Sequence, residues 1–566
     1  MANRLGKRIV LLLIATIAAA VAPCAFSQSY DLVISNGRVI DPESKLDGVR
    51  NVAVRNGKIA AISKQPLSGK SVIDAKGLVV APGFIDLHSH AVLTLAGARM
   101  QAADGVTTAL ELESGVLPVA STYDFVAHEG RPVNYGFSVS WVYARALAVR
   151  GTPVETFTPD DWDAVFGRTD WQGYFPAETA DKVIAIVEQG LQEGGLGVGA
   201  NLGYMPGANH EELYELAKRA KKHGDSPIYV HVRHNEPFGP NSNLESHEEV
   251  IAVAAMTGAH MHFCHLNSNA NYHIPEMIAA VETARRKGVR VTWEAYPYGA
   301  GSTFIAGAYL RPDNLPNMGM KSTDILYLKT GERVATDERL AELQKEDPSG
   351  FSIVFLLDEN NPQQRALLDR AVIHPDSAIA SDAVFWQVGA DIIRSDVWPL
   401  PPDAVSHPRS AGTFARVLGR YARAGKVPLV DAIRKMSLVP AQILEASVPQ
   451  MRHKGRIKVG ADADLTLFDA GSVIDLATYE KPNQTSAGIP YVIVNGVPVI
   501  VKGELVQDAK PGKAIRRFEP MSAEKRVQAK LKGTATTTEA DARLHLQTSP
   551  RTQFSNPTID VDQDIR

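Results

Sequence analysis

Cysteine is almost absent from this sequence. Of 566 residues only two are cysteine, Cys24 and Cys264, and Cys24 falls in an N-terminal stretch that reads as an export signal. A mature chain with one cysteine cannot close an internal disulfide, so an exported fold must be held by its core and by any metal it binds. An excess of either charge is also lacking. Lys and Arg number 59 against 63 Asp and Glu, for a formal net charge of −4. With no basic excess there is no electrostatic support for holding a phosphate backbone, and nucleic acid is excluded as a partner. Long hydrophobic runs are missing too. The one candidate, residues 9–21, is shorter than the about 20 residues a membrane span requires.

That short run instead has the build of a signal peptide. Arg4, Lys7 and Arg8 give a positive start, the apolar stretch follows, and Ala25 and Ser27 are small residues before a cleavage point at Gln28. We expect residues 1–27 to be removed and the protein to be exported, to the periplasm where the host has one, with no membrane contact afterwards. A lipoprotein reading of Cys24 ranks second, because Pro23 directly before it disfavours that processing.

What is present is a change of texture along the chain. Residues 28–80 hold alternating strand-like sequence, "YDLVISNGRVID" and "NVAVRNGKIAAIS", with Asn36-Gly37 and Asn56-Gly57 as tight turns. Similar sequence returns over 446–510, where Asn495-Gly496 reads as a hairpin turn. Between them, over 81–445, apolar strand-like bursts alternate with helical stretches such as "HEELYELAKRAKKHG", stopped at Gly224. Repeated strand–helix alternation predicts a parallel α/β architecture. The expected fold is a (β/α)8 barrel with a small β-sandwich domain built from both chain ends. A Pro-, Asp- and Lys-rich stretch at about 303–377 predicts an inserted subdomain, and residues 511–566 read as a polar tail.

The chemistry begins at "GFIDLHSH", residues 83–90. Residues two apart in a strand share a face, so His88 and His90 both point into the barrel at the C-terminal end of its first strand, where barrel active sites lie. Converging neutral imidazoles suit a divalent metal, most often zinc. Later bursts end in further ligand types: His231 in "YVHVRH", His265 in "HFCHLN" and Asp382 in "SAIASD". Four histidines and an aspartate make a binuclear hydrolytic site plausible. "TTALELESG" adds Glu111 and Glu113 on one face of the second strand. Two inward acids are costly unless paired or metal-bound. Glu113, nearer the mouth, is the better ligand, while Glu111 lies about 7 Å deeper by strand rise, where it would support a ligand or pair with a cation below, and its loss is expected to affect mainly stability. His407 reads as structural, His234 and His262 as packing residues or supports to the ligands, and Cys264 as a small buried hydrophobe.

"PGFIDLHSH" resembles the amidohydrolase superfamily, and more narrowly its N-acyl-D-amino-acid deacylase (D-aminoacylase) branch. The texture of that branch appears in "GGLGVGANLGYMPG", "HVRHNE", "YPYGAGST", "SHPRSAGTFARVLGRY", "AIRKMSLVPAQIL" and "KGRIKVGADADLTLFD", over roughly residues 30–507. The resemblance implies His88, His90, His231, His265 and Asp382 as metal ligands or catalytic groups, with Asp382 the proton-transfer residue. It implies Tyr204, Ser302 and Arg409 as substrate contacts. Its cofactor would be one or two Zn²⁺ ions. Its substrate would be a small N-acyl amino acid, of D configuration by the branch, cleaved to a carboxylic acid and a free amino acid. There are departures. Where the branch often carries a cysteine ligand after its second strand, this chain has "LESG", with Ser114 in the cysteine's place and Glu113 before it. No lysine suited to a carbamylated bridge sits in "GVGANLGYMPG", and Asn267 stands where a basic residue usually follows the fourth histidine. Dipeptide hydrolysis and cyclic-amide opening are the alternative reactions. A non-catalytic exported binding protein is the alternative of another class, and the intact ligand set speaks against it.

Overall fold

A computed structural model describes residues 30–150, 165, 168–239 and 241–518. The expected signal peptide and most of the expected tail lie outside the described residues. Among the described residues no helix is long and apolar enough to cross a membrane.

Two sheets carry the architecture. The first has nine strands and joins the ends of the chain. Tyr30–Asp41, Leu46–Arg55, Lys58–Ser63, Gly69–Asp74 and Val79–Pro82 come from the beginning, and Leu465–Phe468, Tyr491–Val494, Val497–Val501 and Glu504–Leu505 from the end. The seam is antiparallel, with Leu465 opposite Pro82 and Phe468 opposite Val79. Ile34, Val52, Val80, Leu465 and Ile493 share one apolar cluster across it. Asn56 and Gly57 both have positive φ, 52° and 73°, as do Asn495 and Gly496 at 49° and 80°, the backbone that a two-residue hairpin turn demands. Asn36-Gly37 behaves differently from the tight turn expected of it. It sits inside the strand Tyr30–Asp41, at a register shift between Ile34 and Gly37, so it makes a bulge. The Asn36 amide is satisfied by the Asn51 side chain at 3.0 Å. A Cβ at position 37 would sit 2.4 Å from Val80 Cγ2, so the strand can bulge there only with glycine.

The second sheet has eight parallel strands in chain order. We name them β1 (Phe84–Asp86), β2 (Val106–Val116), β3 (Asn134–Ser140), β4 (Val198–Asn201), β5 (Ile228–His231), β6 (Met261–Phe263), β7 (Val291–Ala295) and β8 (Ala378–Ile379). β8 returns to β1. Ser89 and Ala383 form a parallel bridge, and the Ala383 N–H donates to the His88 carbonyl at 3.3 Å. Asp86 reinforces the closure, accepting the backbone N–H groups of His88 and Ser381 at 3.1 and 3.0 Å on one oxygen and the Gln101 amide at 2.6 Å on the other. Burial pushes the Asp86 carboxyl up to about 6 against those hydrogen bonds. The helix His210–Lys222 follows its sequence pattern. Leu213, Leu216, Ala217 and Ala220 form its buried face, acids occupy its first turn and bases its last, and Gly224 follows with φ 75°.

The segment expected as an insertion contains a four-stranded antiparallel sheet, Ala300–Phe304, Ile325–Tyr327, Glu332–Arg333 and Phe351–Phe355. The helix Pro362–Ile373 at its far end packs instead against the helices Leu266–Ala270 and Ile274–Arg286, in the place of a barrel crossover before β8.

Candidate metal centre

Six side chains meet at the C-terminal ends of the barrel strands. His88 and His90 follow β1, Glu113 lies on β2, His231 ends β5, His265 follows β6 and Asp382 follows β8. His88, His90 and Asp382 bring their ligand atoms within 4.8 Å of one another, and so do Glu113, His231 and His265. The two triads share an edge. Glu113 Oε1 lies 3.1 Å from His231 Nδ1 and 2.7 Å from His265 Nε2, while Oε2 lies 3.3 Å from His88 Nε2 and 3.7 Å from His90 Nε2. Asp382 Oδ1 lies 3.3 and 3.4 Å from the same two imidazole nitrogens. His265 and Asp382 both take positive φ, 29° and 52°. Non-glycine backbone in that region is costly and tends to be kept where a site needs it.

The donor set fits divalent metals. Glu113 and Asp382 are buried acids, and burying two such charges is unfavourable unless positive charge faces them. Imidazolium supplies it in the bare protein. Burial works against a charged imidazole at His88, yet Asp382, Glu113 and Glu294 outweigh it and hold His88 well above the ordinary histidine range. His90 is raised to about 9 by the same contest, with Glu111 and Asp382 prevailing over burial. Nitrogen and carboxylate donors in two neighbouring triads could exchange those protons for bound cations, and Glu113 lies between the two groups of imidazoles.

Each imidazole is fixed by its other nitrogen, the usual support of a metal-bound histidine. His88 Nδ1 is 2.7 Å from Glu294 Oε1, and Glu294 in turn meets His262 Nε2 at 3.1 Å. Glu294 is held down at about 2, His88 and His262 overcoming its burial. His262 thus supports a ligand, as expected. His265 Nδ1 meets the Ser268 hydroxyl at 3.0 Å, and His231 Nε2 the Asn235 amide at 3.1 Å.

On the second strand Glu111 takes the supporting role, one of the two expected of it, from nearer the mouth than a regular strand would place it. Glu111 Oε2 lies 2.6 Å from His90 Nδ1, while Oε1 accepts the Ser114 and Gly115 N–H groups at 3.1 and 3.2 Å. The strand is irregular between Glu111 and Val116, which lets Glu111 reach the mouth from below. Glu111 therefore orients a ligand as well as securing the bulge. Ser114 Oγ takes a 3.3 Å hydrogen bond from Asn201, whose Nδ2 also reaches Glu113 Oε2 at 3.0 Å.

Cys264 was expected only to pack. It is buried, but its thiol forms a third group with His88 and Glu113, ligand atoms again within 4.8 Å. Glu294, Asn201 and Asn235 were missed by the sequence reading. Glu294 alone carried a signal, as an acid in the apolar burst "VRVTWEAYPY".

The candidate substrate residues line one pocket with the metal cluster: Tyr204, Ser302 and Arg409 surround it together with Tyr296 and Tyr309. The Tyr204 hydroxyl is 2.8 Å from Thr303 Oγ1, and burial raises its phenol well above the usual value, so it stays protonated. Ser302 Oγ donates to the Ser352 carbonyl at 3.0 Å. Arg409 is buried, its guanidinium 4.7 Å from the Tyr296 ring centroid. Its Nε donates to the Asp382 carbonyl at 2.7 Å, and Nη2 forms an ion pair with Asp382 Oδ2 at 2.8 Å. Among the described residues its Nη1 has no hydrogen-bond partner. His407 accepts the Arg409 N–H at 3.0 Å and so shapes the turn that presents Arg409. His234 lines a separate cavity with Arg233 and Glu249.

Comparison with known proteins places the chain in a family. A model of the amidohydrolase family matches residues 71–151 and 165–500. An N-acyl-D-glutamate deacylase of Alcaligenes xylosoxydans xylosoxydans is 28% identical over 533 residues, 87% of this chain and 97% of the relative. A D-aminoacylase of the same organism is 28% identical over 509 residues, 84% and 95% of the two chains. The crystal structure of N-acyl-D-glutamate deacylase from Bordetella bronchiseptica, complexed with zinc and a phosphonate inhibitor, superposes with a TM-score of 0.67 at 25% identity, covering 86% of this chain and 100% of that one. The barrel with its flanking sheet, the imidazole-rich mouth and the length of the family match lead to one conclusion: this chain belongs to the amidohydrolase family.

Proposed function

We propose that this protein hydrolyses the amide bond of N-acyl-D-amino acids, releasing a carboxylic acid and a free amino acid, with one or two zinc ions held by His88, His90, Glu113, His231, His265 and Asp382. The observation that carries this reading is the adjacency of two ligand triads, with Glu113 of one only 3.3 and 3.7 Å from His88 and His90 of the other, beside a pocket lined by five of the six ligand candidates and by a buried guanidinium whose Nη1 has no hydrogen-bond partner among the described residues. Bound zinc supplies Lewis acidity, which polarises a carbonyl and makes water acidic enough to act near neutral pH.

The chain's own groups do the rest. Arg409 Nη1 is a donor at the pocket wall without a partner among the described residues, suited to the carboxylate of the amino-acid product. Nη2 and Nε meanwhile hold Asp382 in place. The Arg409 charge and the neighbouring imidazoles keep the Asp382 carboxyl ionised against the effect of burial, well below the usual carboxylate range. Asp382 is thus ready to take a proton from the attacking water and to return it to the leaving amine nitrogen. Tyr204, kept protonated by burial, offers an O–H to the carbonyl oxygen as negative charge builds on it.

The test is a panel of N-acetyl-D- and N-acetyl-L-amino acids, dipeptides and a cyclic amide. We expect kcat/KM to be highest for the N-acetyl-D-amino acids. A faster dipeptide or cyclic amide would overturn the assignment. Export is the second part of the proposal, supported by the composition of residues 1–27. N-terminal sequencing of secreted protein is expected to begin near Gln28, and recovery of Met1 would refute it.

A further inference from the structure

The pocket beside the metal cluster holds few charges. Its acids and imidazoles, Glu113, Asp382, His90, His231 and His265, all belong to the cluster. Among the described residues, Arg409 is the one other cation on its lining. The remaining wall is apolar or neutral. Tyr309, Met318, Val354 and Leu356 form one side of it. They come from the inserted subdomain, where Met318 and Val354 are buried and belong to its apolar cluster, with Tyr309 and Leu356 packed against it.

Nearby cations are committed elsewhere. Arg233 is bound by Glu249 at 3.0 and 2.7 Å and by the Pro206 carbonyl at 3.0 Å, and it faces a different cavity. Arg333 stacks over Phe355. Position 267, whose asparagine stands out in the sequence, is spent on the backbone. The Asn267 Oδ1 accepts the Tyr296 N–H at 3.1 Å, and the residue does not line the pocket.

From this we infer that the amino-acid side chain of the substrate is neutral and apolar and rests against Tyr309, Met318, Val354 and Leu356, so that the enzyme discriminates against N-acyl-glutamate and N-acyl-aspartate. The inference rests on the deacylase reading above and adds the class of side chain. One guanidinium can match one carboxylate, and the amino acid's own carboxylate takes it. A second carboxylate would meet no second cation on that wall, where Met318, Val354 and Leu356 offer no donor and the Tyr309 phenol is the only polar group, so it would lose most of its hydration without replacement. A neutral side chain of the same length gains from the same wall.

The experiment compares pairs of matched shape: N-acetyl-D-leucine with N-acetyl-D-aspartate, and N-acetyl-D-methionine with N-acetyl-D-glutamate. The expected kcat/KM ratio favours the neutral member of each pair by at least ~10²-fold, the scale on which an unpaired buried polar group is rejected. Leu356→Lys is the companion variant, because Leu356 is only half-buried and can accept the longer chain. It should narrow the ratio at least ~10-fold by gaining on the acidic member. An acidic substrate equal to or better than its neutral partner overturns the inference while leaving the deacylase reading intact, as does a Leu356→Lys protein that binds zinc normally and shows an unchanged ratio. Failure to hydrolyse either pair, with dipeptides or cyclic amides cleaved instead, removes both.

Discussion

Replacing Asp382 with asparagine is expected to lower kcat by at least ~10²-fold, the low end of what a positioned acid–base group contributes, with a smaller change in KM. Asparagine preserves size and one oxygen, so Arg409 keeps its Nε bond to the residue 382 carbonyl and stays in the pocket wall. What is lost is the basic oxygen. Oδ1 now faces His88 and His90 at 3.3 and 3.4 Å and Oδ2 faces Arg409 at 2.8 Å, so the carboxylate touches both the metal cluster and the substrate grip. Zinc content must be read alongside turnover. A variant that keeps its zinc and loses turnover places the proton transfer at Asp382. Near-normal turnover would move the base elsewhere, with Glu113 the next candidate.

Glu113→Gln is expected to have the largest effect on metal, lowering zinc affinity by at least ~10²-fold, since even partners outside the ligand shell cost 10–100-fold. The carboxylate offers one oxygen to His231 and His265 and the other to His88 and His90. Glutamine has one oxygen and one NH₂, so it can accept on one side only and turns a donor toward the other. Ser114→Ala should be mild. Its hydroxyl takes a hydrogen bond from Asn201 at 3.3 Å, worth about 1 kcal/mol, and Asn201 keeps its bond to Glu113. Equilibrium dialysis with zinc decides between them. Loss of metal from Ser114→Ala but not from Glu113→Gln would contradict the shared-edge geometry. Glu111→Gln is expected to weaken metal binding as well as stability, because its carboxylate fixes His90 as well as the bulge.

Much of the site was legible because strand periodicity is a local property. His88 and His90 two apart, and Glu111 and Glu113 two apart, could be assigned to one face each without knowing what lay opposite. His231, His265 and Asp382 were visible as ligand types at the ends of apolar bursts. What could not be read were contacts made across the barrel. Glu294 supports His88 over a sequence distance of 206 residues, and nothing local distinguishes it from an acid in a salt bridge. The ~7 Å depth assigned to Glu111 assumed a regular strand, and the bulge at residues 112–115 removed that assumption. Cys264 looked like any buried thiol until the fold set it against His88 and Glu113. Asn36-Gly37 was misread for a related reason: the dipeptide permits positive φ, but whether the chain reverses or bulges depends on the neighbouring strand. The joining of the two chain ends into one sheet was legible from their shared texture. The place of the helix Pro362–Ile373 against barrel helices was not, because its partners lie across the fold.

The central claim is that the triads His88–His90–Asp382 and Glu113–His231–His265 hold the metal on which amide hydrolysis depends. The most direct measurement follows zinc per chain and N-acetyl-D-leucine hydrolysis together, through chelation and stepwise return of zinc. The account predicts that turnover vanishes as the metal is removed and returns in proportion to the zinc rebound, and that His231→Ala protein neither rebinds it fully nor recovers. Undiminished hydrolysis by the metal-free protein, or full zinc occupancy in His231→Ala, would contradict it.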